Sequence, residues 1–246
     1  VLDPIWIEKH ETATRVRSRL ETVFSWAKAT GLHTGDNPAT WKGNLKELMP
    51  AINKQAVRAH QPALSLGDAA AWFAALRTRK GLAARAMEFL TLTAARSNEI
   101  RLATWEEIHL DERLWIIPAA RMKMRREHRV PLTPAMIALL TALPRMAGTD
   151  LIFPSTQSGS MSDMTLSAVM KRMHTEETSA GRKGWVDPVL KRLAVPHGIR
   201  STFRDWVSER TDYPGDLAEV ALAHKVGSAV EQAYRRGDMV AKRRQM

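Results

Sequence analysis

The residues of this chain able to do chemistry stand in four separate places. Arg96 lies in "TAARSNEIRL", directly after a long apolar run, with Glu99 three residues on. A guanidinium that starts from a core rather than a solvated face needs a partner, and a carboxylate one helical turn away can hold it. A structural Arg–Glu pair is the plainer alternative. Lys123 lies in "RMKMRREHRV", where Arg121, Lys123, Arg125, Arg126 and Arg129 surround the single Glu127. Such a turn suits a phosphate backbone, although charge runs are often only solvated loops. Met122 and Met124 flank Lys123 and favour a less hydrated ammonium. His197 and Arg200 are three apart in "HGIRSTFRDW" and share a face if the segment is helical. They make a poor structural pair, because the guanidinium disfavours a protonated imidazole and offers it no acceptor. His224 and Tyr234 close the series in "LAHKVGSAVEQAYRRGD", with Ser228 as a helix N-cap between them and Arg235 and Arg236 behind the phenol. Taken singly, such a His or Tyr is usually a packing residue.

Together, two Arg, a Lys, two His and a Tyr fit a phosphodiester. Guanidinium forks bind non-bridging oxygens and stabilise the charge of a pentacoordinate transition state. A phenol can attack phosphorus in line, a His can take its proton, and a Lys can protonate the leaving oxygen. No HExxH and no His/carboxylate cluster is present, and there is no Cys, so neither a metal nor another cofactor is expected. Arg and Lys would then supply the charge that Mg²⁺ supplies elsewhere.

The elements that must position these residues are mainly helical. The spacing predicts helices over 12–30 and 41–49, then a linker, with a domain boundary near 58–64. A helix capped by Ser65 runs towards Gly81, and "LAARAMEFLTLTAA" is apolar on nearly every face, as a central core helix is. "LWIIP" and the segment ending at Pro131 read as two strands around the basic turn. Thr133-Pro134 opens a further helix, and others are expected over 164–173, 201–210, 216–223 and 228–236, with a loop insertion over 175–195. The fold class is therefore α+β, mainly α with a small antiparallel β-hairpin. The expected domains are 1–60, helical, and 61–246, carrying the chemistry.

Lys and Arg number 37 against 26 Asp and Glu, a net charge of +11 that favours a polyanionic partner, nucleic acid first. No apolar run approaches membrane-spanning length and no basic amphipathic helix with an aromatic face stands out, so no membrane partner is expected. Val1 at the start reads as a fragment boundary.

In this order and at these separations, "TAARSNEI", "RMKMRREHRVPL", "HGIRSTFRDW" and "LAHKVGSAVEQAYRRGD" resemble the boxes of the tyrosine recombinases, in the branch of satellite-phage and genomic-island integrases. The resemblance covers most of the chain. It implies a partial core-binding domain over 1–60 and a catalytic domain over 61–246. It implies Arg96 and Arg200 as the catalytic arginines, Glu99 as support, Lys123 as general acid, His197 as partner of Arg200, His224 on the scissile phosphate and Tyr234 as nucleophile of a 3′-phosphotyrosine link. DNA contacts are expected from Arg121, Arg125, Arg126, Arg129, Arg235 and Arg236. It further implies double-stranded attachment-site DNA as partner and a homo-tetramer on DNA, with the isolated piece a monomer. Accessory DNA-bending or directionality proteins, and work on the nucleoid in a bacterial cytoplasm, follow from the same resemblance. The resemblance leads one to expect an arm-type domain ahead of residue 1 and further chain after Tyr234, both outside this sequence, and the stretch before His197 is long for the branch. A type IB topoisomerase, and a basic DNA-binding protein that never cuts, remain alternative readings.

Overall fold

The computed structural model describes residues 2–51, 60–157, 159–227 and 237–246. The chain forms two compact units, Val1–His60 and Gln61–Met246.

In the first unit a short helix, α1 (Asp3–Trp6), leads into α2 (His10–Ala29). Trp6 is buried, stacks on Trp41 with ring centres 5.4 Å apart and donates its Nε1 proton to the Pro50 carbonyl at 3.0 Å. Arg17 reaches from α2 to the Ala39 carbonyl at 2.9 Å and lies over the Trp41 ring. The helix expected over 41–49 is cut short. Lys42 is extended and Gly43 takes φ 72°, open to glycine at little cost, so only α3 (Lys46–Leu48) is regular. On α2 the expected apolar face is little covered within its own unit: Ala13 alone is fully buried, and Val23 and Trp26 are 58% and 60% exposed.

The second unit is built around the apolar helix over 82–93. First comes α4 (Leu66–Arg77), capped as expected by Ser65, whose Oγ accepts from the Asp68 amide at 3.1 Å. Then α5 (Leu82–Thr93) buries Ala84, Ala86, Met87, Phe89, Leu90 and Thr93. Phe89 packs on Trp115 and Phe153 at 5.2 and 5.7 Å between ring centres. After α6 (Ser97–Arg101) comes a three-stranded antiparallel sheet, β1 (Ile108–His109), β2 (Leu114–Ile117) and β3 (His128–Pro131), in the order β1-β2-β3. Trp115 pairs with Val130 and Ile117 with His128, which fixes the ends of the basic turn between them. The strand β1 is an addition to the expected hairpin, too short to show a period in sequence.

Then α7 (Pro134–Thr141) starts at the expected Thr133 cap and packs Met136, Leu139 and Leu140 inward. The following helix, α8 (Thr165–Ser179), runs through the first residues of the expected loop insertion; Met170 and Met173 hold it to the core while its last turns face water. The remaining loop is tied down by Asp187, whose carboxylate accepts from the amides of Val189, Leu190 and Ala63 at 2.7–2.8 Å. Residues 61–64 thus form a strap along the start of α9 (Gly198–Arg210): Val195 N donates to Pro62 O at 3.1 Å and Thr202 Oγ1 to Leu64 O at 2.8 Å. Last come α10 (Gly215–Ala221) and α11 (Val240–Arg243). The helix expected over 228–236 lies outside the described residues.

Candidate active site

The first arginine is delivered by the abrupt end of α5. Ala94 takes a left-handed conformation, φ 50°, and turns the chain so that Arg96 becomes the N-cap of α6. Glu99, only 3% exposed, then accepts the Arg96 amide at 2.8 Å with one oxygen and Arg96 Nη1 at 2.9 Å with the other. The short helix and the pair define each other, and the guanidinium is left partly exposed.

The second arginine comes from α9 and is 4% exposed. Arg200 donates through Nη1 to the Ala94 carbonyl, and through Nη2 to the Leu222 carbonyl at 2.6 Å and to His224 Nε2 at 3.1 Å. It therefore joins the ends of α5 and α10 behind the Arg96 turn. Burial first, and the Arg96 charge next, lower its pKa to about 10, with Glu99 and Glu219 opposing. It stays charged at neutral pH. Two like charges held this close favour an anion between or beside them.

His224 sits just past α10 in a turn with both bonds of a Schellman motif: its amide donates to Glu219 O at 2.9 Å, and the Ala223 amide to Val220 O at 3.0 Å, with Ala223 at φ 51°. Its Nδ1 donates to Glu219 Oε2 at 2.7 Å. The other oxygen of Glu219 accepts from Arg204 Nε at 2.7 Å. Burial pushes the Glu219 carboxyl up, yet the hydrogen bonds from His224 and Arg204 prevail and hold it below the usual carboxylate range.

His197 is the residue before α9 and keeps an exposed edge. Loss of water around its ring is the larger cause of a lowered pKa, and the charges of Arg200, Arg96, His224 and Lys123 lower it further. Arg200 and His224 are in hydrogen-bond contact, and Arg96 and Lys123 lie near enough for their charges to act on His197. A neutral imidazole among cations is suited to accept a proton.

Lys123 is exposed in the turn between β2 and β3. Arg125, at φ 52°, and Arg126 are exposed on the same turn. The other two turn arginines are held by carboxylates of the chain. Arg121 pairs with buried Glu107 and donates to the Glu99 carbonyl, and Glu107 also accepts the Trp115 Nε1 proton at 2.9 Å. Arg129 pairs with Asp238 at 2.7 Å. Tyr234, Arg235 and Arg236 lie outside the described residues. Beyond them Arg243, buried, donates to Asp238 O at 2.9 Å and to Arg129 O at 2.6 Å, tying α11 to β3.

Four further residues take part without having been singled out in the sequence: Glu107, Arg204, Glu219 and His128. The last donates to the Ala221 carbonyl, and burial, then the Arg243 charge, press its pKa down to about 4. It lines a cavity of about 220 Å³ beside His224, together with Met122, Met124 and Val226. Only the inward register of β3 could have pointed to it. Among the described residues no three His, Asp or Glu side chains converge as metal ligands do, and no helix is long and apolar enough to cross a membrane.

The chain matches the model of the phage integrase family over residues 46–240, and that of the phage integrase central domain over 1–44. It is 32% identical over 239 residues to prophage integrase IntA of Escherichia coli (strain K12), covering 96% of this chain and 52% of that protein. It is 28% identical over 243 residues to the integrase of Enterobacteria phage P4, covering 92% of this chain and 51% of that one. The chain thus spans about half the length of these curated relatives. Among solved structures it is similar to a lambda integrase(75-356) dimer bound to a COC′ core site, with TM-score 0.59, 20% identity and coverage of 97% of this chain and 77% of that one. It is also similar to a lambda integrase tetramer bound to a Holliday junction, with TM-score 0.60, 18% identity and coverage of 93% and 63%.

Proposed function

The chain belongs to the phage integrase family, and from that premise we propose that it is a site-specific DNA recombinase working through a 3′-phosphotyrosine intermediate at Tyr234. The observation that supports the reading is that Arg200 is hydrogen-bonded to His224 and to the Ala94 carbonyl at the Arg96 turn, with His197 at the start of the same helix and Lys123 near enough for its charge to act on that histidine. That arrangement is costly unless an anion joins it, and a phosphodiester is the anion that this chemistry fits.

The Tyr234 oxygen attacks phosphorus as its proton passes to neutral His197. Arg96, Arg200 and His224 hold the non-bridging oxygens while the phosphorus is five-coordinate. Lys123 protonates the departing 5′-oxygen, leaving a phosphotyrosine on the 3′ end and a free 5′-hydroxyl. The reverse steps, with a 5′-hydroxyl from a second strand as nucleophile, rejoin the backbone and release the phenol. No phosphodiester energy is lost, and integration or excision of a mobile element is the outcome. Residues 1–60 serve as part of a core-binding domain and 61–246 as the catalytic domain. Exposed Arg125 and Arg126, with Arg235 and Arg236, contact the backbone of double-stranded attachment-site DNA. The working assembly is a homo-tetramer on two DNA sites in a bacterial cytoplasm, aided by DNA-bending or directionality proteins.

The test uses nicked duplexes that span the ends of the genetic element carrying this gene, from which the released strand diffuses away after cleavage. Wild type should yield a covalent protein–DNA band and Tyr234→Phe none. A wild type that binds the duplex tightly but leaves no band would show a DNA-binding protein that does not cut. Relaxation of supercoiled DNA without any four-way junction between two sites would favour topoisomerase chemistry.

A further inference from the structure

His224 touches two groups of fixed character, and they determine its state. An arginine nitrogen can only donate, so Nε2 accepts from Arg200 Nη2 and the ring proton belongs on Nδ1. There it meets the Glu219 carboxylate at 2.7 Å, and that carboxylate is braced from the opposite side by Arg204 at 2.7 Å. Glu219 also accepts the His224 amide with its main-chain carbonyl, so one residue grips His224 at both backbone and ring. The geometry points to Glu219, braced by Arg204, as the positioning residue that holds the Nδ1 proton of His224 and sets the aim of its ring. This goes beyond the role proposed for His224, and rests on it.

The consequence is chemical. A neutral ring with its proton on Nδ1 offers a phosphate oxygen nothing but a lone pair at Nε2. To donate there, the ring must take a second proton from water when the anion draws Arg200 Nη2 away. Glu219 Oε2 can stay hydrogen-bonded to Nδ1 in either state of the ring, so the aim of Nε2 is kept. The other charged groups bonded to His224 or to Glu219 are Arg200 and Arg204, both on α9. Glu219 is the acidic side chain hydrogen-bonded to the ring among the described residues. Without it Nδ1 loses its hydrogen-bond acceptor.

Long-range proton–nitrogen correlation spectra of the whole chain, with the His224 signals identified by their loss in His224→Gln, read the tautomer directly. Wild type should carry the proton on Nδ1. Glu219→Gln, which keeps an acceptor oxygen but no charge, should keep that proton hydrogen-bonded, whereas in Glu219→Ala, where Arg200 still donates to Nε2, the Nδ1 proton should lose its downfield hydrogen-bonded shift and exchange with water. In the nicked-duplex assay Glu219→Ala should slow covalent-band formation about 10–100-fold, the range for removing a group that orients an active imidazole. Glu219→Gln should fall between it and wild type. A proton on Nε2 in wild type overturns the inference with no variant needed, as does a Glu219→Ala spectrum matching wild type. If the spectra behave as expected while wild type forms no band, the recombinase reading fails and the positioning of His224 stands.

Discussion

Replacing Gly198 by alanine adds one methyl group where the chain leaves no room for it. A Cβ there would lie 1.9 Å from the Pro62 carbonyl oxygen, 2.7 Å from the Pro62 carbonyl carbon and 2.8 Å from Ala63 Cα. All three are backbone atoms, so no rotamer change relieves the clash. In an unobstructed helix the same substitution stabilises by about 1 kcal/mol. Here the strap over 61–64 must retreat by roughly 1.5–2 Å to restore carbon contact distances of about 3.5–4 Å. Three bonds depend on its present place: Val195 N to Pro62 O, Ala63 N to Asp187, and Thr202 Oγ1 to Leu64 O. Losing two of them at about 1 kcal/mol each, with overpacking of about 1–3 kcal/mol and less the helical gain, leaves a net loss of about 2–4 kcal/mol. Urea unfolding should show this as a lower midpoint at unchanged slope. Because His197 and Arg200 flank Gly198, covalent-band formation should fall as well. A variant as stable as wild type, or more stable, refutes the reasoning.

His128 gives a pH dependence of definite sign. Its pKa falls from the ordinary 6.5 to about 4 on folding, so the unfolded chain binds the proton first. Its share of stability is complete above pH 6.5 and is lost as pH falls towards 4, by about 1.4 kcal/mol per pH unit. Denaturation measured across that window should show the slope in wild type and a flatter line in His128→Gln. Lys123→Met should slow band formation about 10²–10⁴-fold, and a substrate with sulfur in place of the 5′-oxygen, which leaves without a proton, should restore most of the rate; no restoration would remove Lys123 as the acid. Arg121→Met should destabilise by about 2–4 kcal/mol in urea unfolding, because Glu107 loses its ion pair in a buried setting. Ala223→Gly should stabilise by up to about 1 kcal/mol by the same measure, since alanine holds a left-handed φ there.

Much of this was legible in the sequence, and the limits have physical causes. The apolar run at 82–93 had to be central because no face of it tolerates water, and Ser65 and Thr133 capped helices as local chemistry dictates. Arg96 and Glu99 are three residues apart and needed only a helical turn to meet. Glu107 with Arg121, and Glu219 with Arg204, are 14 and 15 residues apart and are paired by tertiary folding, which no local spacing encodes. The basic turn showed its charge but not its pairing: Arg121 turns inward to buried Glu107, and Arg129, though exposed, pairs with Asp238, while Arg125 and Arg126 are exposed. The helix expected over 41–49 failed at Gly43, whose positive φ overrides a run of helix-compatible neighbours.

The bonds of Arg200 also set a timetable for the growing chain. Its link to Ala94 spans 106 residues, that of Thr202 to Leu64 spans 138, and that of Arg243 to Arg129 spans 114. Contacts so distant in sequence close late, after the local helices and the hairpin have formed. During synthesis, which delivers the N-terminal part first, the Arg96–Glu99 turn and the basic hairpin exist long before anything can stand behind them. Arg200 cannot bridge Ala94 and Leu222 until residue 222 has left the ribosome. A nascent chain therefore carries a half-built cluster of cations, with no second arginine behind it until the segment from Arg200 to Leu222 has been made.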